Sequence, residues 1–281
     1  MSISAFIKRH PVATYYALVF AISWGGLLIV IGPGGIPGIM EQTMGNSLFW
    51  SVYVVTIAGP SIAGILLTVF VYGKAGLHDI VSRLFKWKVG ARWYAVAILT
   101  PALSVMATLF VLSIFSLEFL PGILTTGDKV SLVLFSLVAG VVTPFFEELG
   151  WTGFAVPQLS KRYGVLTTGL IVGFLWGAWH FLSNLYGVGI SSGTLPLTLF
   201  MPAILFSFLP PYRVLMVWVY DRTKSLFVAM IMHGSLDTFW LIATPMAIAG
   251  VNLVTWYIAW AVVLWVLVAA VFVTKEGHLS H

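Results

Sequence analysis

The chain alternates long apolar runs with short polar breaks. Runs of about 20 residues, the length a helix needs to cross a bilayer, fall at about 12–32, 49–72, 92–116, 130–151, 166–186, 196–220, 225–245 and 253–273. The pattern predicts an all-α fold, a polytopic membrane helix bundle of about eight transmembrane helices. Pro202, Pro210 and Pro211 interrupt the sixth run, which predicts a broken or partly re-entrant span. The first run follows "IKRH" and reaches Ile31 without a clear small-residue cleavage site, so it reads as a retained span rather than a cleaved signal peptide. Between the second and third runs, Leu77, Ile80, Val81, Leu84 and Trp87 recur at helical spacing with Arg83, Lys86 and Lys88 between them. That segment is either an interfacial helix or an ordinary connector. The Gly/Pro-rich stretch Gly32–Asn46 reads as a loop on the opposite side. No repeat and no linker is visible, so residues 1–281 are read as a single membrane domain.

Composition agrees with this reading. The chain is 60% hydrophobic and 8% charged, with mean hydropathy +1.02, whereas soluble domains are ~25% charged. The absence of cysteine excludes disulfides, thiol catalysis and thiolate metal sites. The net charge of +5 could suggest nucleic acid, but the placement of the bases decides against that partner. With the N-terminus inside, thirteen of the fourteen Lys and Arg residues fall in inside segments or at inside span ends, and Lys129 alone lies outside. This is the positive-inside pattern. It predicts an N-in, C-in, multi-pass protein of the cell membrane whose basic excess faces anionic lipid.

Five ionisable residues remain in or at the spans: Glu147, Glu148, His180, His233 and Asp237. An acid at a helix centre costs ~2.5–3.5 kcal/mol on insertion scales, so such residues face a partner or a wet cavity. Gly140, Pro144, Glu147 and Trp151 share one helix face, while Glu148 points ~100° away. One carboxylate is therefore expected to face a cavity and the other a structural partner. Gly169, Gly173, Gly177, His180 and Asn184 share another face, with Trp176 beside them. Such a small-residue series permits close helix approach. His233 and Asp237 stand at i, i+4 and can touch.

Several chemistries suit this set. A buried glutamate can act as general base on water, and two histidines can polarise that water or stabilise an oxyanion. Glu147, His180 and His233 are also a ligand set seen at catalytic zinc, so the cofactor is a divalent metal such as Zn2+ or none. Both routes lead to hydrolysis of a carbonyl bond. Acid and histidine chains also serve proton-coupled transporters, although no inverted repeat is recognisable.

"EELGWTGF", "FLWGAWHF" and "HGSLD", in that order, resemble the CAAX protease and bacteriocin-processing family of intramembrane endopeptidases. The resemblance covers about residues 130–245. It implies an intramembrane protease acting on a peptide or membrane-protein substrate, often described as a metalloprotease, although a metal-free glutamate mechanism is also proposed for the family. By position, Glu147 resembles the general base and Glu148 its supporting glutamate. His180 resembles the histidine that helps hold the water. His233 and Asp237 resemble the pair that stabilises the oxyanion or orients the site.

The sequence departs from the family pattern at one point. The arginine of Glu-Glu-x-x-x-Arg falls at position 152, which is Thr152. Either another base such as Arg213 or Arg222 substitutes, or the site is weakened. A weakened site would fit a catalytically silent scaffold or immunity protein of the same fold. Depth poses a second question. His180 would lie ~21 Å along its span, whereas Glu147 would lie near the inner end of its own. The two meet if the fourth span continues toward Leu159, or if the fifth starts later or tilts.

Overall fold

The computed structural model describes residues 2–32, 46–246 and 248–274. The loop expected over 33–45 and the terminal basic residue Lys275 lie outside the described residues. All regular elements among the described residues are helical. Among the described residues, eight helices are long and apolar enough to cross a membrane: α1 Pro11–Ile31, α2 Ser47–Leu84, α3 Ala91–Ser113, α4 Lys129–Leu159, α5 Val165–Gly187, α6 Leu197–Thr223, α7 Leu226–Ala243 and α8 Gly250–Val273. The protein is a multi-pass membrane helix bundle.

The helix starts follow local chemistry. Pro11 stands in the first turn of α1, where its missing amide costs nothing. The side chains of Asn46, Asp128 and Ser225 accept the backbone amides of Phe49, Ser131 and Val228 at the starts of α2, α4 and α7. Lys224 adopts a left-handed conformation (φ 48°) that ends α6 one residue before that last cap.

α2 is bent at Gly73 (φ 60°, ψ −149°), a backbone conformation that a side chain would strain. Beyond the bend the helix continues to Leu84 and buries Ile80 against Leu226 and Met230. The predicted interfacial helix is thus the continuation of a span, and it stops before Trp87, which is exposed.

In a bilayer the apolar exterior is a lipid face, and helices associate through close packing and internal polar contacts. Leu134, Val138, Val141 and Phe145 of α4 point outward, whereas Pro144, Glu147 and Trp151 are buried. The predicted inward face of α4 is therefore the observed one. The glycine series on α5 is used as its spacing suggests. A Cβ at Gly169 would stand 2.5 Å from Val214 Cα, one at Gly173 2.6 Å from Pro210 Cα, and one at Gly177 2.9 Å from the Leu205 carbonyl oxygen. α5 thus lies backbone to backbone along α6. As the prolines predict, α6 is broken, into Leu197–Phe206 and Leu209–Thr223.

Candidate active site

The depth question is answered by α4. Residues Trp151–Ala155 form a π-helical turn, a wide turn frequent at functional sites, and the span runs on to Leu159. Glu147 therefore sits well inside a 31-residue span.

Glu147 and Glu148 are both buried, at 1% and 0% exposure, and their surroundings differ as their ~100° separation requires. Glu148 is the more heavily bonded. Its Oε1 lies 2.8 Å from Arg213 Nη1 and 2.8 Å from His233 Nδ1. Its Oε2 accepts the Thr152 hydroxyl, one helical turn on. A carboxylate taken out of water persists only with this kind of pairing. Glu147 is held by indoles instead. Trp151 Nε1 and Trp176 Nε1 both donate to its Oε2, at 3.1 and 3.0 Å.

Trp176 is the hub of the site. Besides donating to Glu147, its ring meets His180 and His233 edge-on, with centroids at 5.3 and 5.0 Å. The Arg213 guanidinium lies 4.2 Å from its centroid, a cation–π distance. One side chain thus touches the proposed base, both histidines and the counter-ion of Glu148.

The histidine geometry fixes which ring atoms are available. His180 Nδ1 lies 2.9 Å from the Trp176 carbonyl oxygen. A carbonyl only accepts, so Nδ1 carries the proton and Nε2 of the neutral ring is left as acceptor. His233 stands between two carboxylates, with Nδ1 on Glu148 and Nε2 3.6 Å from Asp237 Oδ1. The expected His233–Asp237 contact is a close approach rather than a hydrogen bond. His180 and Asp237 line a common cavity of about 130 Å3 with Asn184, Trp240 and Tyr257. Glu147 is not among its lining residues, and Trp176 stands at that wall.

All five residues singled out from the sequence therefore meet around Trp176. The expectation of a metal set is corrected. Glu147, His180 and His233 do not converge as ligands, and no group of three acidic or histidine residues among the described residues is arranged to hold a metal ion. The reason is competition for donor atoms. Both nitrogens of His233 face carboxylates, and one Glu147 oxygen is taken by two indole N–H groups. The donor set present does not fit a metal centre.

Two residues of this cluster carry little signal in the sequence. Trp176 was visible only as a neighbour of a glycine face. Arg213 was one of two named substitutes, and its position in a proline-broken span hid its depth. The Thr152 departure is answered directly. The guanidinium absent from position 152 arrives from α6, and the threonine hydroxyl fills the room beside it on the same carboxylate.

Residues 129–239 match the family described as type II CAAX prenyl endopeptidase Rce1-like. Over this stretch the chain is similar to the CAAX protease and bacteriocin-processing family. It is 26% identical over 204 residues to a CAAX prenyl protease 2 of Methanococcus maripaludis, an alignment covering 67% of this chain and 72% of that one. These likenesses, with the eight membrane-length helices, identify the protein as a membrane-embedded protease, a hydrolase. The matched stretch contains all five residues singled out and also Thr152, Trp176 and Arg213. The site described above thus lies entirely within the matched stretch.

Proposed function

We propose that this protease hydrolyses a peptide bond at the cytoplasmic side of the cell membrane by glutamate-activated water, and that its substrates are prenylated peptides or membrane proteins with a CAAX-type end. The substrate class follows the names of the family and of the Methanococcus maripaludis relative. The cytoplasmic side is inferred from the one-sided distribution of Lys and Arg. The observation that carries the mechanism is the contrast between the two glutamates. Glu148 is saturated by Arg213, His233 and Thr152, whereas Glu147 is oriented by two indoles that cannot accept a proton.

In this reading Glu147 takes a proton from water while His180 Nε2 accepts the second O–H and aims the oxygen. The hydroxide attacks the scissile carbonyl carbon. His233 is fixed by Nδ1 on Glu148, and its Nε2, not hydrogen-bonded to Asp237, donates to the developing oxyanion when the ring is protonated. Collapse breaks the C–N bond, and Glu147 returns its proton to the leaving amine. The ion pair from Arg213 supports catalysis over a silent scaffold, because it supplies the charge that Thr152 lacks. A transporter role finds no support in the family assignment.

The test is cleavage of an internally quenched, prenylated CAAX peptide by purified protein in lipid vesicles. Glu147→Gln is expected to abolish turnover with the fold retained, and His180→Ala and His233→Ala to do the same. Full activity of Glu147→Gln would remove the mechanism. Wild-type protein that cuts the unprenylated peptide equally well would remove the prenyl part of the substrate assignment.

A further inference from the structure

The π-helical turn that follows the glutamates contains a backbone problem. Residue 157 is proline and has no amide to donate. In α-helical register its amide would serve the carbonyl of Gly153, and in π register that of Thr152. The amide of Val156 goes to Trp151. A buried carbonyl without a donor is costly, and Thr152 and Gly153 are both buried.

The donor comes from another helix. Arg83, on the segment of α2 beyond the Gly73 bend, gives Nη2 to the Gly153 carbonyl at 2.8 Å and Nη1 to the Thr152 carbonyl at 3.3 Å. Nη1 also reaches the Tyr220 hydroxyl at 2.9 Å, and Nε is held by Asp79 Oδ2 at 2.9 Å. Tyr220 lies on α6, two turns beyond Arg213. One guanidinium thus joins the bent end of α2, the π-turn of α4 and the helix that carries the counter-ion of Glu148. Five fixed N–H donors in a planar fork suit this task, and an ammonium matches it only in part.

We infer that Arg83 is a positioning residue for the proteolytic reaction: it supplies the hydrogen bond that Pro157 withholds and braces the neighbouring carbonyl, and so sets the π-turn that aims Glu147 and Glu148. This rests on the reading of Glu147 as the base. Arg83 touches none of the reacting groups and acts through the backbone of Thr152 and Gly153. The mechanical link is short, since Thr152 follows Glu148 by one turn and its hydroxyl bonds that carboxylate. Arg83 also borders an open cavity of about 340 Å3 with Tyr72, Gln158 and Lys161. A shorter polar side chain therefore fits in its place without a packing defect.

The experiment measures kcat and KM on the quenched prenylated peptide for Arg83→Gln, Arg83→Lys, Pro157→Ala and the double variant Arg83→Gln/Pro157→Ala. Arg83→Gln is expected to lower kcat ~10- to 100-fold, the effect of a small misplacement of reacting groups, with KM within about twofold of wild type. Arg83→Lys is expected to recover part of that loss. The double variant is the decisive arm. Alanine at 157 restores an amide, so Arg83 becomes dispensable and kcat returns to within about threefold of Pro157→Ala alone. Should Arg83→Gln misfold, the double variant still reports, because the restored amide is expected to rescue both folding and turnover. A wild-type kcat in Arg83→Gln, or a double variant no better than Arg83→Gln, would overturn the positioning role. Glu147→Gln measured alongside separates the two ideas. If it is inactive while Arg83→Gln is normal, only the positioning role falls. If it is fully active, the mechanism falls and the positioning role with it.

Discussion

Arg213 Nη1 stands 2.8 Å from Glu148 Oε1, with both side chains sealed from solvent. The pair joins α6 to α4 in the centre of the bundle. The stacking of the same guanidinium on Trp176 ties α5 to both. Removing one member leaves the other charge uncompensated, which is worth about 3–5 kcal/mol in buried pairs. Arg213→Met is therefore expected to lower the thermal stability of the detergent-solubilised protein steeply and to abolish cleavage. Thr152→Arg in the same chain is expected to restore much of both, because position 152 already reaches Glu148 through its hydroxyl. A double variant as unstable as Arg213→Met would mean that the charge must enter from α6.

Trp176→Phe isolates the indole N–H. Phenylalanine keeps most of the ring contacts with His180, His233 and Arg213 but donates nothing to Glu147. A hydrogen bond to a charged group is worth about 1.5–3 kcal/mol, so a loss of roughly 10- to 100-fold in kcat/KM is expected. The fold should survive. Steady-state kinetics with a thermal melt on the same preparation checks both statements.

The hydrogen bond of His233 Nδ1 with Glu148 and the placement of Nε2 toward Asp237 predict indifference to chelators. Cleavage is expected to survive prolonged treatment with EDTA or phenanthroline without loss of rate. Inactivation that added zinc reverses would require His233 to turn away from Glu148, and would return the Glu147, His180 and His233 ligand set to consideration.

Asp128 gives a pH signature remote from the site. Its carboxylate accepts the Ser131 amide at the start of α4, and these bonds hold its pKa below the ordinary aspartate value. A lowered folded pKa means a contribution fully present above the unfolded value of ~3.9 and lost as pH falls through the folded one. The amides of 129–132 are expected to exchange faster as pH drops below about 4, beyond the intrinsic trend. Asp128→Asn, an equally good cap, should remove that acid-dependent step. If it is present in both proteins, the cap is not its source.

Much of the architecture was legible because membrane physics writes itself into composition. Eight apolar runs gave eight helices, since a lipid-exposed backbone must satisfy itself. The α4 face of Pro144, Glu147 and Trp151 followed from helical period alone, and the α5 glycines announced a close neighbour. Charge in an apolar segment is expensive, so the five residues of the candidate site stood out individually. The π-turn was not legible, because no local pattern distinguishes it from a helix end. The bend at Gly73 was equally hidden within a continuous run. Both decide where side chains arrive, and neither changes the hydrophobic pattern.

Sequence by itself determined the class, the span count and the identity of the acids and histidines, because each is a property of single segments. Only the tertiary structure decided which base answers Glu148, which ring gathers the site and which helix completes the π-turn. Arg213, Trp176 and Arg83 are distant in sequence from the groups they serve. Their pairing is fixed by how helices cross, and a one-dimensional pattern carries no term for that.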